Sequence, residues 1–143
     1  MSVRAASEFD VTGWDQTPYG EEGKGPSLAE AMVLKEYRGD LEGQGRARVL
    51  MCRADASSRP ENAGYVASEQ VSGRLADREG TFVVQHWGIA AAGAPPRTGG
   101  HVVPGSGTGG LVGLSGTMEI SVTPDGKHQF TLDYELPDPA VNF

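Results

Sequence analysis

The sequence predicts an all-β protein: one closed barrel of eight antiparallel strands, calycin-like in outline, with little helix. Three observations point there. Apolar and polar residues alternate with a period of two along much of the chain, as in strands with one buried face. The 21 glycines and nine prolines cut the chain into short connected segments and leave little room for long helices. Eight segments can be counted, and eight strands close a small barrel around one ligand while removing exposed edges.

A chain of 143 residues suits a single domain, residues 1–143, with loose ends expected at about 1–5 and 137–143. Residues 6–14 form the first strand. Phe9 and Val11 share one face; Glu8, Asp10 and Thr12 share the other. Gly13 breaks the alternation, and a bulge there turns Trp14 inward. Residues 15–26, DQTPYGEEGKGP, read as a polar loop.

Residues 27–38, SLAEAMVLKEYR, fit two states. Ser27 and Glu30 have capping-box spacing, and the residues between are good helix formers. As a strand, Ala29, Ala31, Val33, Lys35 and Tyr37 share a face. The barrel needs an eighth strand, so the strand is preferred, with its inward parity left open.

Residues 39–45 read as a turn. Ala47, Val49 and Met51 then oppose Arg46, Arg48 and Leu50. Residues 55–62 form an exposed loop. In 65–75, Tyr65, Ala67, Glu69 and Val71 alternate with Val66, Ser68, Gln70 and Ser72. ADREG, residues 76–80, is a hairpin connection to TFVVQHWG, residues 81–88, a run of high β propensity. A long apolar, proline-containing loop leads to a strand at about 99–103. Residues 115–122 place Gly116, Met118, Ile120 and Val122 on one face. After a Pro124-Asp125-Gly126 turn, Phe130, Leu132, Tyr134 and Leu136 alternate with polar residues.

The formal charge is −7, from 12 basic and 19 acidic residues. With no local basic patch, this repels a phosphate backbone and argues against nucleic acid as a partner. No apolar run reaches membrane-span length, and the first residues lack the apolar stretch of a secretory leader. Cys52 is the sole cysteine, expected on the outer face, which suits a reducing compartment; the expected location is the cytoplasm.

The stretch VVPGSGTGGLVGLSG, residues 102–116, contains Gly105-x-Gly107-x-x-Gly110. A dinucleotide fingerprint would need a helix to follow, but Gly113, Gly116 and a β-type run stand there. Leu111 and Val112 replace the Lys and Ser/Thr of a phosphate-binding loop. The glycines therefore read as a structural corner between late strands, permitting positive φ.

This stretch, with FVVQHWG and LEGQGRARVLM before it and TLDYEL after it, resembles a bacterial domain-of-unknown-function family (DUF3224-like) grouped with the allene oxide cyclase-like barrels. Its core GTGGLVGLSG is also similar to the GTG-x-x-x-G-x-x-G segment of allene oxide cyclases and plant dirigent proteins. The resemblance spans nearly the whole chain and implies an eight-stranded barrel without implying a reaction. The loop AAAGAPPRTGG departs from the pattern and bears on what covers one barrel mouth. Related barrels often associate through their outer faces, so a homo-oligomer is a further expectation.

Three ionisable residues share faces with apolar ones: Lys35 with Val33 and Tyr37, Glu69 with Tyr65 and Val71, and His86 with Phe82 and Val84. A hairpin through ADREG would set Val71 opposite His86 and Glu69 diagonal to it. A buried carboxylate beside an imidazole, with a lysine across the barrel, can move protons without a cofactor. The competing reading is structural: a hydrogen-bonded core histidine and an internal Lys–Glu pair. Trp14, Tyr37, Met51, Tyr65, Phe82 and Tyr134 are the expected ligand contacts, or plain core residues. His86 and His101, with Glu69, are the one set that adjacent strands could bring to a metal. A site needs three convergent ligands, and only one histidine is expected to face inward, so neither metal nor cofactor is expected.

Two functions follow: a cofactor-free cyclase or isomerase acting on an apolar molecule in the barrel, and a carrier that sequesters such a molecule. The bland alternative is a barrel filled by its own side chains.

Overall fold

A computed structural model describes residues 2–20, 25–54 and 61–138. It is a closed barrel in which every strand pairs with its sequence neighbours, in the order β1 to β8 and back to β1, all antiparallel. The strands are β1 Val3–Tyr19, β2 Ser27–Gly39, β3 Leu41–Arg53, β4 Ala63–Leu75, β5 Arg78–Ala90, β6 Arg97–Val102, β7 Ser115–Val122 and β8 His128–Glu135. One 3-10 turn, Gly109–Leu111, is the only helical element among the described residues.

The contested segment is β2. Its inward residues are Ala29, Ala31, Val33, Lys35 and Tyr37, all buried. Two long partners, β1 and β3, override the local helix preference. The bulge in β1 falls between Val11 and Gly13 and brings Trp14 opposite the buried Val33.

Four boundaries differ from the sequence expectation. β1 does not stop at Trp14: residues 15–19 remain paired with β2, Pro18 included. Pairing with β8 ends at Phe9, so this is an edge on that side, where proline is tolerated. Only Asp40 lies between β2 and β3, so Gly39 belongs to β2 and residues 41–45 to β3. The β4–β5 turn is two residues, Ala76 and Asp77, both at positive φ (53° and 60°), the geometry of a tight hairpin turn. That shortens the connection and moves the register: Ala67, not Val71, faces His86, and Val71 faces Phe82. Residues 3–5, expected loose, pair with β8. Pro137 is tied through its carbonyl to Arg78 Nη1 at 2.6 Å. Residues 139–143 of the expected loose tail, and 55–60 of the expected loop, lie outside the described residues.

The interior changes character along the barrel axis. One end is filled by Leu41, Val71, Leu75, Phe82, Phe130 and Leu132, all at 0–1% exposure. The glycine-rich connection runs across it. Thr108 N–H donates to the Thr81 carbonyl at 2.8 Å, and Leu111 and Leu114 plug the interior with 0% and 1% exposure. Four of its glycines (Gly105, Gly109, Gly113, Gly116) have positive φ, as a sharp corner requires. The other half is lined by small residues, Ala31, Val33, Ala47, Val49 and Ala67, with Met51 and Tyr65 half-buried beside them.

Candidate functional site

Where large side chains give way to small ones, three strands bring charged and polar groups together. Lys35 (β2), Glu69 (β4) and His86 (β5) are all buried, at 6%, 0% and 4% exposure. Lys35 Nζ donates to Glu69 Oε1 at 2.8 Å, and His86 Nε2 meets the same oxygen at 2.9 Å. The Tyr37 hydroxyl donates to Glu69 Oε2. On the far side of the imidazole, the Tyr65 hydroxyl lies 3.1 Å from His86 Nδ1. With Glu69 ionised, Nε2 carries the imidazole proton and Nδ1 accepts from Tyr65. The result is a chain from Tyr65 through His86 to Glu69, with Lys35 as counter-charge.

Two glycines make the chain possible. A Cβ at Gly45 would stand 2.2 Å from Glu69 Oε2 and 2.9 Å from the Tyr37 ring, so only glycine leaves room for the carboxylate. A Cβ at Gly88 would fall 2.3 Å from Tyr65 Cε2; the bare backbone seats that ring. Lys35 Nζ also sits 4.5 Å above the centre of the Phe9 ring, a cation–π contact.

The electrostatics follow from this packing. Burial alone would raise the Glu69 pKa. The hydrogen bond from His86, the charge and hydrogen bond of Lys35 and the Tyr37 hydroxyl outweigh it and hold the carboxyl at about 2. Tyr65 is pushed up to about 12, first by burial and then by the Glu69 charge. Tyr37 rises well above its ordinary value for the same causes in the same order, with its hydrogen bond to Glu69 adding to them. Both tyrosines are therefore neutral proton holders around an ionised carboxylate.

Above the cluster lies a cavity of about 520 Å³, open at the mouth and within the size range of small-molecule sites. Ala29, Val33, Val49 and Met51 form apolar wall, and Lys35, His86 and Tyr65 border it. Trp14 stands at the rim, 54% exposed, with its indole N–H on Gln16 Oε1 at 2.9 Å.

Of the residues singled out in the sequence, Lys35, Glu69 and His86 converge. Trp14, Met51 and Tyr65 border the cavity. The other three expected ligand contacts do not. Tyr37 is sealed beneath Glu69. Phe82 faces Val71 in the filled half, four residues nearer the β4–β5 turn than His86. Tyr134 pairs with Val3 and Gly116 near that same end. Glu69 itself does not border the cavity, since Lys35 and His86 lie between. His101 does not join His86: it pairs with Gln85 and is exposed, while the residue facing His86 is Gly100. No three His, Cys, Asp or Glu residues converge as a metal site among the described residues.

Among the cavity residues that the sequence reading did not single out is a histidine. His128 stacks on Phe9, ring centres 5.1 Å apart and planes at 25°, and borders the cavity. It shares parity with Phe130, Leu132 and Tyr134, so extending that alternation by one step would have found it. No helix among the described residues is long and apolar enough to cross a membrane.

Against known proteins, the profile of a family described as protein of unknown function, DUF3224, matches residues 5–134. A crystal structure of a DUF3224 protein of unknown function from Shewanella oneidensis MR-1 is 34% identical, covering 98% of this chain and 100% of that one with a TM-score of 0.79. No curated protein matches. Fold, length and sequence thus agree, and the chain belongs to the DUF3224 family.

Proposed function

We propose that the barrel binds a small, mainly apolar molecule in its open half and acts on it as a cofactor-free isomerase or cyclase, in keeping with its likeness to allene oxide cyclase-like barrels. The observation that carries this reading is the cavity floor. Lys35, His86 and Tyr65 border a space whose wall is otherwise mainly apolar, Ala29, Val33, Val49 and Met51 included, and Tyr65 and His86 are joined by a hydrogen bond.

The chemistry this floor suits is proton transfer beside a carbonyl. A ligand oxygen near Lys35 meets an ammonium that gives one of its three N–H groups to Glu69. Tyr65 takes a proton from the neighbouring carbon while its own phenolic proton passes to His86 Nδ1. The raised pKa of Tyr65 means that these two transfers occur together. Glu69 balances the imidazolium and Lys35 the enolate. Returning the proton to a different carbon completes an isomerisation with protons and electrons balanced. Ring closure on the enolate is the cyclase variant. Glu69 is then a positioning residue, since Lys35 and His86 separate it from the cavity. The walls contribute by limiting the ligand's conformations.

The second reading is a carrier. One observation favours it: among the described residues no buried side-chain polar atom lacks a partner, so the cluster is complete without a reacting molecule. Cys52, exposed and free, suits work in a reducing compartment such as the cytoplasm in either case.

The test is mass spectrometry of protein purified from its native host. A bound apolar molecule is expected, and Ala29→Trp, which fills the cavity, should displace it. An empty native protein that takes up nothing from host extract would sink both readings. Returning the released molecule to stripped protein separates them. Conversion that Tyr65→Phe abolishes with affinity retained marks the enzyme, and unchanged release marks the carrier.

A further inference from the structure

We infer that the cavity is an anion site: its ligand carries a negatively charged oxygen, of carboxylate or enolate type, that docks on the floor at Lys35. This deepens the ligand-binding reading above and rests on it.

The first ground is a reversal of charge. The chain is acidic, 19 Asp and Glu against 12 Lys and Arg. Yet among the described residues the cavity is lined by Lys35, Arg53, Arg97, His86 and His128, and by no carboxylate. Glu69 lies just beneath but has 0% exposure, and both its oxygens are occupied by Lys35, His86 and Tyr37. The Thr98 hydroxyl, also at the wall, is spent on the backbone of Ile120, at 2.6 Å to its carbonyl and 2.9 Å from its N–H. An entering molecule therefore meets donors.

The second ground is that one of those donors is held in place on the floor. Lys35 Nζ is fixed by Glu69 at 2.8 Å and by the buried Phe9 ring, whose centre is 4.5 Å away. An oxyanion on the floor can take an ammonium hydrogen that Glu69 does not use, while His128, on the β8 side of Phe9, also lines the cavity. Charge-assisted hydrogen bonds are the stronger kind. A neutral group of the same shape gains less, and a cation is repelled. Arg53 ends β3 and Arg97 begins β6, three strands apart around the mouth, where they draw anions in. The ligand's body then lies along Ala29, Val33, Val49 and Met51.

Fluorescence titration with three naphthalene probes of equal size tests this: naphthalene-2-carboxylate, naphthalene-2-carboxamide and 2-naphthylmethylammonium. The carboxylate should bind roughly tenfold or more tighter than the carboxamide, the effect of a charged hydrogen bond, with the ammonium weakest. Lys35→Met/Glu69→Gln removes the ammonium together with its counter-charge, so it should shrink that preference several-fold, toward equal binding of carboxylate and carboxamide. Its circular dichroism and thermal midpoint verify the fold. Equal binding of carboxylate and carboxamide overturns the anion site and leaves the cavity reading intact. So does a carboxylate preference that survives Lys35→Met/Glu69→Gln but vanishes in Arg53→Gln/Arg97→Gln, which would place the charge at the rim. No binding of any probe in a folded protein, with no molecule recovered from the host preparation, removes the ligand-binding reading and this inference together.

Discussion

The two halves of the barrel are built from the same eight strands and end as opposites. In the closed half the inward positions carry Leu41, Leu75, Phe82, Phe130 and Leu132, and Leu111 and Leu114 of the glycine-rich connection seal the end. In the open half the same alternation delivers Ala29, Ala31, Val33, Ala47, Val49 and Ala67, and a cavity remains. The connections follow suit: turns of one and two residues join β2 to β3 and β4 to β5 at the closed end, and longer segments join strands at the mouth. Backbone pattern makes the barrel, and side-chain volume decides which half is hollow. The Lys35–Glu69–His86 cluster lies at the boundary, buried enough to be strong and close enough to the cavity to act.

The largest effect is expected at that boundary. Glu69→Ala leaves Lys35 buried without its counter-charge and should cost about 3–5 kcal/mol, read by urea unfolding. A loss under about 1 kcal/mol would mean that the cluster is not part of what holds the halves together. Acid should act on the same group. The Glu69 pKa is held at about 2 in the fold, below its ordinary 4.5. Its stabilisation is therefore complete above about pH 4.5 and is lost as pH falls toward 2. Unfolding curves at intervals across that window should show the decline, and Glu69→Gln should flatten its own share of it.

The next contrast sets one half against the other. Leu114→Ala opens a hole in the filled end and should cost about 3 kcal/mol, lowering the thermal midpoint by roughly 10 °C. Val49→Ala removes atoms that already border the cavity and should cost about 1 kcal/mol or less. Equal losses from the two would dissolve the distinction.

The barrel and part of its cluster were legible in the sequence, and the limits have physical causes. Alternation with apolar neighbours groups Glu69 and His86 with inward residues, because parity is a local property, whereas the inward parity of β2, and so of Lys35, is fixed only by its partners β1 and β3. Register is not local. Ala76 and Asp77 adopt positive φ without glycine's help, while Gly80, which marks a turn by composition, lies within β5. The hairpin therefore looked longer than it is, and the residue facing His86 is Ala67 rather than Val71. Pro18 and the glycines from 39 to 45 likewise suggested loops where strands continue, since pairing across the barrel outweighs local breakers. Gly45 and Gly88 could not be read as seats for Glu69 and Tyr65, because a close approach depends on which strands meet. His128 was within reach by parity.

The smallest expected effect on stability is the sharpest test of the comparison. Ala29 borders the cavity at 8% exposure and faces Met51 on β3 and Pro18 on β1. Ala29→Leu adds apolar volume where empty space exists, so overpacking strain does not arise as it would beside Phe82. Cavity filling of this kind commonly stabilises by about 0.5–1 kcal/mol. The thermal midpoint should rise by a few degrees while uptake of an apolar probe falls several-fold. A protein kept hollow at the expense of stability is one in which the hollow serves a purpose. If Ala29→Leu instead destabilises as much as Leu114→Ala, the open half is as tightly packed as the closed one. The case for a ligand then fails at its foundation.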